Sequence, residues 1–458
     1  MVTPTPRFID TINDQPDKGS IIYVYFVSIV AAVGGLLFGF DTGVISGAIP
    51  FIVDHFTLNA HQEGFAVSNL LIGCIVGSGF AGMLSDRFGR KKILIIAAVF
   101  FALSAILSAL PRTFMELIFA RFMGGLAVGV ASMLSPMYIA EISPASIRGR
   151  LVSINQFTIV GGILLSYFTN WLVVDIGPNN WRWMLALETI PACIFFFALL
   201  SVPESPRWLT KQRKTDRAMA ILTRVGGKKH AEREMNEITT SLEKEKGTLS
   251  ELFKPGMRIV LLVGVLLAIF QQITGINTVL YYAPKIFMTS GYESANSAFF
   301  AAVIVGLTNL ICTIIAIGLI DSIGRKPLLL IGLIGMGISF VLAGFAFQSQ
   351  SIGRTWILIP LITYVGFFAM SLGPGVWVLL SEIFPTKIRG RAMSIATMVL
   401  WISCFLVSQT FPWLVERIGE GTFFMYGGIC GVAFVFVWFM VTETKGKTLE
   451  EIETMWEH

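Results

Sequence analysis

The chain has 458 residues, of which 54% are apolar and only 14% charged, with a net charge of +5 and a mean hydropathy of +0.73. That balance excludes an ordinary soluble enzyme and points to lipid as the surrounding solvent. The modest positive charge follows from membrane topology and gives no reason to invoke nucleic acid.

A transmembrane helix needs about 20 mostly apolar residues, and the sequence supplies twelve such stretches after a polar opening segment, residues 1–21. They are expected at 22–50, 63–84, 93–110, 114–139, 150–174, 182–202, 257–283, 295–320, 327–347, 355–381, 391–413 and 422–441. The first is too long for a signal peptide and lacks a small-residue cleavage pattern, so it reads as a true span. Lys and Arg gather in alternate loops: Asp86 to Lys92, Arg148 and Arg150, Lys211 to Lys246, Arg325-Lys326 and Lys387 to Arg391. The positive-inside rule puts those loops in the cytoplasm, with both termini beside them, in the cell membrane. Loops such as Asn59 to Gly64, Gly177 to Asn180 and Ser290 to Asn296 are nearly free of basic residues and face outward.

Three charges interrupt apolar spans: Asp41 in the first, Arg121 in the fourth and Glu188 in the sixth. Intramembrane ionisable residues are expensive and usually functional. A carboxylate in hydrocarbon favours its protonated form and a nearby cation its ionised form, so an Asp with an Arg partner is poised between two states. The plain alternative is a static ion pair fastening two helices, and for Glu188 a carboxylate reaching out to the interface. Between the sixth and seventh spans, residues 203–256 are charged. Ala218, Ile221, Leu222 and Val225 recur there at helical spacing, which predicts short amphipathic helices on the cytoplasmic face rather than a disordered linker.

The chain repeats itself. Asp86-Arg87-Phe88-Gly89-Arg90-Lys91 returns 235 positions on (86 to 321) as Asp321-Ser322-Ile323-Gly324-Arg325-Lys326. The stretch Glu141 to Arg150 returns 241 positions on (141 to 382) as Glu382 to Arg391. Two motif pairs in the same order and at similar offsets imply six spans repeated as six. The expected fold is therefore an all-α membrane protein with a six-helix half at 22–202, a cytoplasmic helical linker at 203–256, a second half at 257–441 and a cytoplasmic tail at 442–458. Parallel six-span halves are the plan of the major facilitator transporters, whose site lies between the halves.

Three further motifs sharpen this: Pro203-Glu204-Ser205-Pro206-Arg207-Trp208-Leu209, Gln271-Gln272-Ile273-Thr274-Gly275-Ile276-Asn277, and Glu443-Thr444-Lys445-Gly446. With these, nearly the whole chain resembles the sugar porter family of the major facilitator superfamily. It looks most like the bacterial xylose-proton symporters, through Gly34 to Gly47 and Ala131 to Gly149. The resemblance implies proton-coupled uptake of a monosaccharide, with Asp41 as proton-binding residue, Arg121 as its partner and Glu188 as a second participant. It also implies a sugar site of Gln156, Gln271, Gln272, Asn277 and Asn309 with Trp377, Phe38 and Trp401 as aromatic walls. Amides that both donate and accept, beside an aromatic face, suit a sugar. The sequence departs from the family's pattern at Ile163, Leu400 and Cys404, where hydrogen-bonding groups are missing, so glucose fits as well as xylose. The repeated motifs suggest a cytoplasmic gate: Asp86, Arg90, Glu141 and Arg148, with Asp321, Arg325, Glu382 and Arg389, forming ion pairs that break when the protein opens inward.

An uncoupled facilitator is the nearest rival. A sugar sensor would need a signalling extension, and only Thr442 to His458 follows the last span. An enzyme is not expected, since no nucleophile with a base, metal cluster or phosphate loop appears. The five cysteines lie in apolar stretches without CxxC spacing, and no cofactor is called for.

Overall fold

The computed structural model describes residues 19–244, 257–348, 354–384 and 389–446. In order the helices are α1 (Ile21–Phe56), α2 (Ala60–Phe88), α3 (Arg90–Ala109), α4 (Phe114–Ile142), α5 (Arg148–Val173), α6 (Asn180–Leu187), α7 (Thr189–Ser201), α8 (Pro206–Lys211), α9 (Thr215–Gly226), α10 (Lys228–Lys244), α11 (Met257–Ile273), α12 (Ile276–Thr289), α13 (Ala295–Ile323), α14 (Arg325–Gln348), α15 (Leu358–Met370), α16 (Leu372–Ile383), α17 (Arg389–Ile418) and α18 (Gly421–Met440). Twelve spans are long and apolar enough to cross a membrane. The sixth joins α6 to α7, the seventh α11 to α12 and the tenth α15 to α16. With no water in the bilayer core, helices satisfy their own backbone groups, which is why the spans are helical.

The first helix runs through Pro50 to Phe56, past the expected end at residue 50. It stops where Thr57 turns left-handed at φ +50°, and an Asn59–Gln62 capping box starts α2.

The three divided spans break for local reasons. Pro191 has no N–H for the Leu187 carbonyl, and the helix interrupts at Glu188. The seventh breaks at Gly275, whose φ of +99° suits glycine; the Tyr364 hydroxyl donates to the Thr274 carbonyl there at 2.9 Å. The tenth breaks at Ser371 (φ −128°, ψ −86°).

Glycines set how closely the spans approach. A Cβ on Gly39 would stand 1.8 Å from the Ile159 carbonyl oxygen, and one on Gly43 1.8 Å from Ser166 Oγ. These small residues let α1 and α5 meet backbone to backbone, as expected where van der Waals packing drives membrane association. Large apolar side chains such as Phe439, Met83 and Phe197 remain exposed on the outside of the bundle, the surface a bilayer would cover.

The linker helices belong to the first half. Ala218, Leu222 and Val225 of α9 are buried, as their spacing predicts. The Trp208 indole N–H donates to the Asp86 carbonyl at 2.9 Å, Lys211 pairs with Asp86 at 2.8 Å, and Arg148 pairs with Glu234 of α10 at 3.7 Å. Ser20 N–H donates to the Arg224 carbonyl at 3.0 Å, and the Arg224 guanidinium lies 3.9 Å from the Tyr23 ring centre. The start of α1 and the linker helices thus share one end of the bundle, the linker face, and twelve spans bring the end of α18 back to it. The opposite end is the far face.

The halves touch through α2 with α17, α5 with α13 and α1 with α12. Among the described residues, their hydrogen bonds cluster from mid-bundle to the far face. Ser68 Oγ donates to Gln409 Oε1 at 2.7 Å and Gln409 Nε2 to the His61 carbonyl at 3.0 Å. The Trp171 indole donates to Asn296 at 3.0 Å, and Asn296 to Asp175 at 2.7 Å.

Candidate functional site

Asp41 of α1 and Arg121 of α4 form an ion pair, and each side chain is only 2% exposed. They meet because Gly124, one turn from Arg121, leaves room: a Cβ there would contact Ser104 and Asp41 Oδ2. Arg121 Nε and Nη2 are buried without a hydrogen-bond partner among the described residues. Glu188, at the break between α6 and α7, is 4% exposed and lies within reach of the charges of both Asp41 and Arg121. It does not reach out to the interface; burial beside an Arg makes it a third member of one charge cluster.

The amides from the seventh span form an ordered chain. Asn277 Nδ2 donates to Gln272 Oε1 at 2.5 Å and to Cys404 Sγ at 3.1 Å. Gln272 Nε2 donates to Gln271 Oε1 at 3.4 Å, and Gln271 Nε2 to the Leu372 carbonyl at 3.1 Å. The helix break at Gly275 brings residues of α11 and α12 within reach of one another. Each amide is oriented by its neighbour. Phe38 of α1 meets Trp401 of α17 edge to face, with ring centres 5.5 Å apart, so the two expected walls touch across the halves. The Trp401 indole N–H is buried and has no partner among the described residues.

Gln156 and Trp377 are half-buried and Asn309 is buried, but none of the three hydrogen-bonds to this amide chain among the described residues. Ile163 is buried on α5. Sequence reasoning missed Tyr281, one turn beyond Asn277, which is buried and lies close to both Thr42 of α1 and Cys404. The i, i+4 spacing from Asn277 was the available signal. Cys404 is likewise more than an apolar filler, since it accepts from Asn277.

At the linker face the repeated motifs build the same structure twice. Arg90 grips Glu141 with two bonds of 3.0 Å and Asp86 with a third of 3.0 Å; Arg325 holds Glu382 at 3.0 Å. Glu204 accepts from the backbone N–H groups of Arg90 and Lys91, and Glu443 from those of Arg325 and Lys326. Ser205 and Thr444 donate to Glu141 and Glu382 in turn. Glu204 and Glu443 therefore cap the helix N-termini of α3 and α14, where a negative charge is favoured. Burial pushes Glu204 above the ordinary carboxylate value despite its N–H donors. At the more exposed Glu443, burial is outweighed by four backbone N–H donors, and the carboxyl sits below it. Sequence reasoning treated these two acids as family markers only.

The residues expected to form a gate are the ones in these pairs. Among the described residues each joins helices within one half, and Arg148 pairs with Glu234 of the linker instead of an acid of the set. The side chains of Asp321 and Arg389 lie outside the described residues. The pairs are formed although the cross-half bonds are at the other face. Arg90 joins α3 to α4 through Glu141, and Arg325 joins α14 to α16 through Glu382.

The family model for "Sugar (and other) transporter" matches residues 27–456. The arabinose-proton symporter of Bacillus subtilis (strain 168) is 44% identical over 460 residues, covering 99% of each chain. The D-xylose-proton symporter of Escherichia coli (strain K12) is 43% identical, covering 95% of this chain and 96% of its own. The inward-open structure of the xylose transporter from E. coli superposes with a TM-score of 0.83 at 40% identity, covering 94% of this chain and all of that one. Twelve spans in two repeated halves, built around a buried Asp–Arg–Glu cluster and an amide chain, belong to a chain that is a member of the sugar transporter family, with the major facilitator fold.

Proposed function

We propose that this chain carries a monosaccharide and a proton together across the cell membrane by alternating access, with the buried Asp41–Arg121 pair as the coupling element. That pair is the observation that carries the proposal. Taking two charges out of water is costly, and a merely structural fastening is obtained more cheaply from close packing such as that of Gly34 of α1 against Ser135 and Ala131 of α4. Arabinose and xylose symport by the relatives supports the same conclusion.

The linker face is assigned to the cytoplasm, with both termini there, because it carries the basic loops. The halves, 22–202 and 257–441, rock about the site between them, while the linker at 203–256 travels with the first half. With Asp41 ionised, its pair with Arg121 ties α1 to α4. A proton arriving from outside neutralises Asp41, releases Arg121 and frees α1 to move. Glu188, buried in reach of both, offers the released guanidinium a second carboxylate. Sugar hydroxyls bond Gln271, Gln272 and Asn277, with Gln156 and Asn309 contributing from α5 and α13. Trp377, Phe38 and Trp401 cover the apolar face of the ring. Cys404 and Ile163 bring fewer hydrogen-bonding groups to the cavity than amides would, which suits either a pentose or a hexose such as glucose. The linker-face ion pairs hold each half rigid so that it moves as a body. No residue is assigned to covalent chemistry, so the protein is proposed to be a carrier and not an enzyme.

The test is uptake of radiolabelled arabinose, xylose and glucose into proteoliposomes, with and without an inward proton gradient. Gradient-dependent accumulation of one of them is expected. Equilibration indifferent to the gradient would make the protein a facilitator and reduce Asp41 to a structural partner of Arg121.

A further inference from the structure

One cross-half contact at the far face is an ion pair. Lys285 Nζ of α12 binds both carboxylate oxygens of Glu63 at 2.5 Å. The Glu63 side chain is 5% exposed and that of Lys285 33%. Glu63 stands in the first turn of α2, fixed by the Asn59–Gln62 capping box beside it and favoured by the helix N-terminus. Around it the seal is continued by Gln409, which binds Ser68 and the His61 carbonyl, and by the His61 ring, stacked on Trp413 with centres 6.3 Å apart. Lys285 also shares a stripe of α12 with Tyr281 and Asn277, four and eight residues before it, since residues four apart face the same way on a helix.

We infer that the Glu63–Lys285 pair is a latch that holds the far face shut. In doing so it sets the share of carriers open to the outside, and hence their apparent affinity for external sugar. Neither residue touches the amide chain or the Asp41 cluster by any bond described above; they are positioning residues. The consequence for external affinity rests on the alternating-access reading, but the latch itself does not.

The two partners differ in burial, and that fixes the direction and asymmetry of the effect. Removing the Lys285 charge leaves a buried carboxylate without its counter-ion, and such a group is relieved by returning to water. Water reaches it only when the far face opens. Removing the Glu63 charge leaves Lys285 already part-exposed, so the push is weaker. A ligand's apparent affinity scales with the fraction of molecules in the competent state.

The test is hydrogen exchange on the full-length protein in nanodiscs, without sugar and without a gradient. In Lys285→Gln, exchange at residues 57–68 should rise about tenfold, while residues 139–150 at the linker face become more protected. Glu63→Gln should give the same pattern at about threefold, and it serves as the readout if Lys285→Gln does not fold. The exchanged pair Glu63→Lys/Lys285→Glu should return both regions to within about threefold of the wild type. The external KM in proteoliposomes should fall in Lys285→Gln in the same proportion as exchange rises. Unchanged exchange in both single variants, or a rise at both faces together, would overturn the latch. Absence of any sugar uptake by the wild type, with or without a gradient, would instead defeat the transport reading and leave the exchange result standing.

Discussion

Replacing Asp41 by Asn tests the coupling element directly, because the amide keeps the shape of the carboxylate and cannot take up a proton. Both side chains of the Asp41–Arg121 pair are 2% exposed, so the substitution removes the counter-ion of a cation that water does not reach. Breaking a buried pair by removing one partner costs about 3–5 kcal/mol; the amide oxygen still accepts from Arg121, which should keep the loss toward the lower end. The functional loss is of a different kind. Moving one charge through about 100 mV supplies about 2.3 kcal/mol, and each ~1.4 kcal/mol is tenfold, so symport concentrates sugar about 40-fold on voltage alone. The plateau of radiolabelled sugar in proteoliposomes at an imposed potential of about 100 mV, inside negative, should therefore drop from about 40-fold to equality in Asp41→Asn. Exchange of labelled against unlabelled sugar should continue, since no net proton movement is needed. Accumulation by Asp41→Asn to the wild-type plateau would refute the mechanism.

Glu188→Gln should slow gradient-driven uptake while leaving sugar binding intact, because it removes the second carboxylate offered to Arg121; binding by intrinsic fluorescence and uptake rates on the same preparation separate the two. Asn277→Ala removes the link between Gln272 and Cys404 and should weaken sugar binding about tenfold, in line with loss of about 1.5 kcal/mol for a buried hydrogen-bonding group; titration calorimetry reads it, and unchanged affinity would move the site elsewhere. Gln156→Ala and Trp377→Ala should each weaken binding as well, and unchanged affinity in both would exclude them from the site. At the linker face, Glu443 has its carboxyl below the ordinary value, so its ionised form stabilises the fold above the unfolded pKa of about 4.3 and that contribution is lost as pH falls through the folded value. Thermal midpoints measured from pH 7 down to pH 3 should fall less in Glu443→Gln than in the wild type, and parallel curves would show that the carboxylate contributes nothing there.

Much of this was legible in the order of residues. Apolar run length alone specifies twelve spans, because lipid leaves the backbone no alternative to the helix. Asp41, Arg121 and Glu188 were visible as charges where charge is costly, and the Gly89-Arg90 and Gly324-Arg325 repeats disclosed two like halves. The amphipathic spacing of Ala218, Leu222 and Val225 announced a linker helix. These are local or compositional signals, and they survive folding because each reports a cost that any fold must meet.

The pairing of side chains was decided only by the tertiary structure. Sequence order says that Arg90, Glu141 and Arg148 carry opposite charges; it does not say that Glu141 takes Arg90 while Arg148 turns to Glu234, since partner choice depends on which helix ends meet. Nor could it reveal that Lys285 reaches Glu63 across 222 positions, that Cys404 accepts from Asn277, or that Glu204 and Glu443 cap helices begun more than a hundred residues earlier. Burial and helix breaks in hydrocarbon are dictated residue by residue; contacts between distant helices depend on how glycine-lined surfaces such as that of α1 allow the backbones to approach, and that packing exists only in three dimensions.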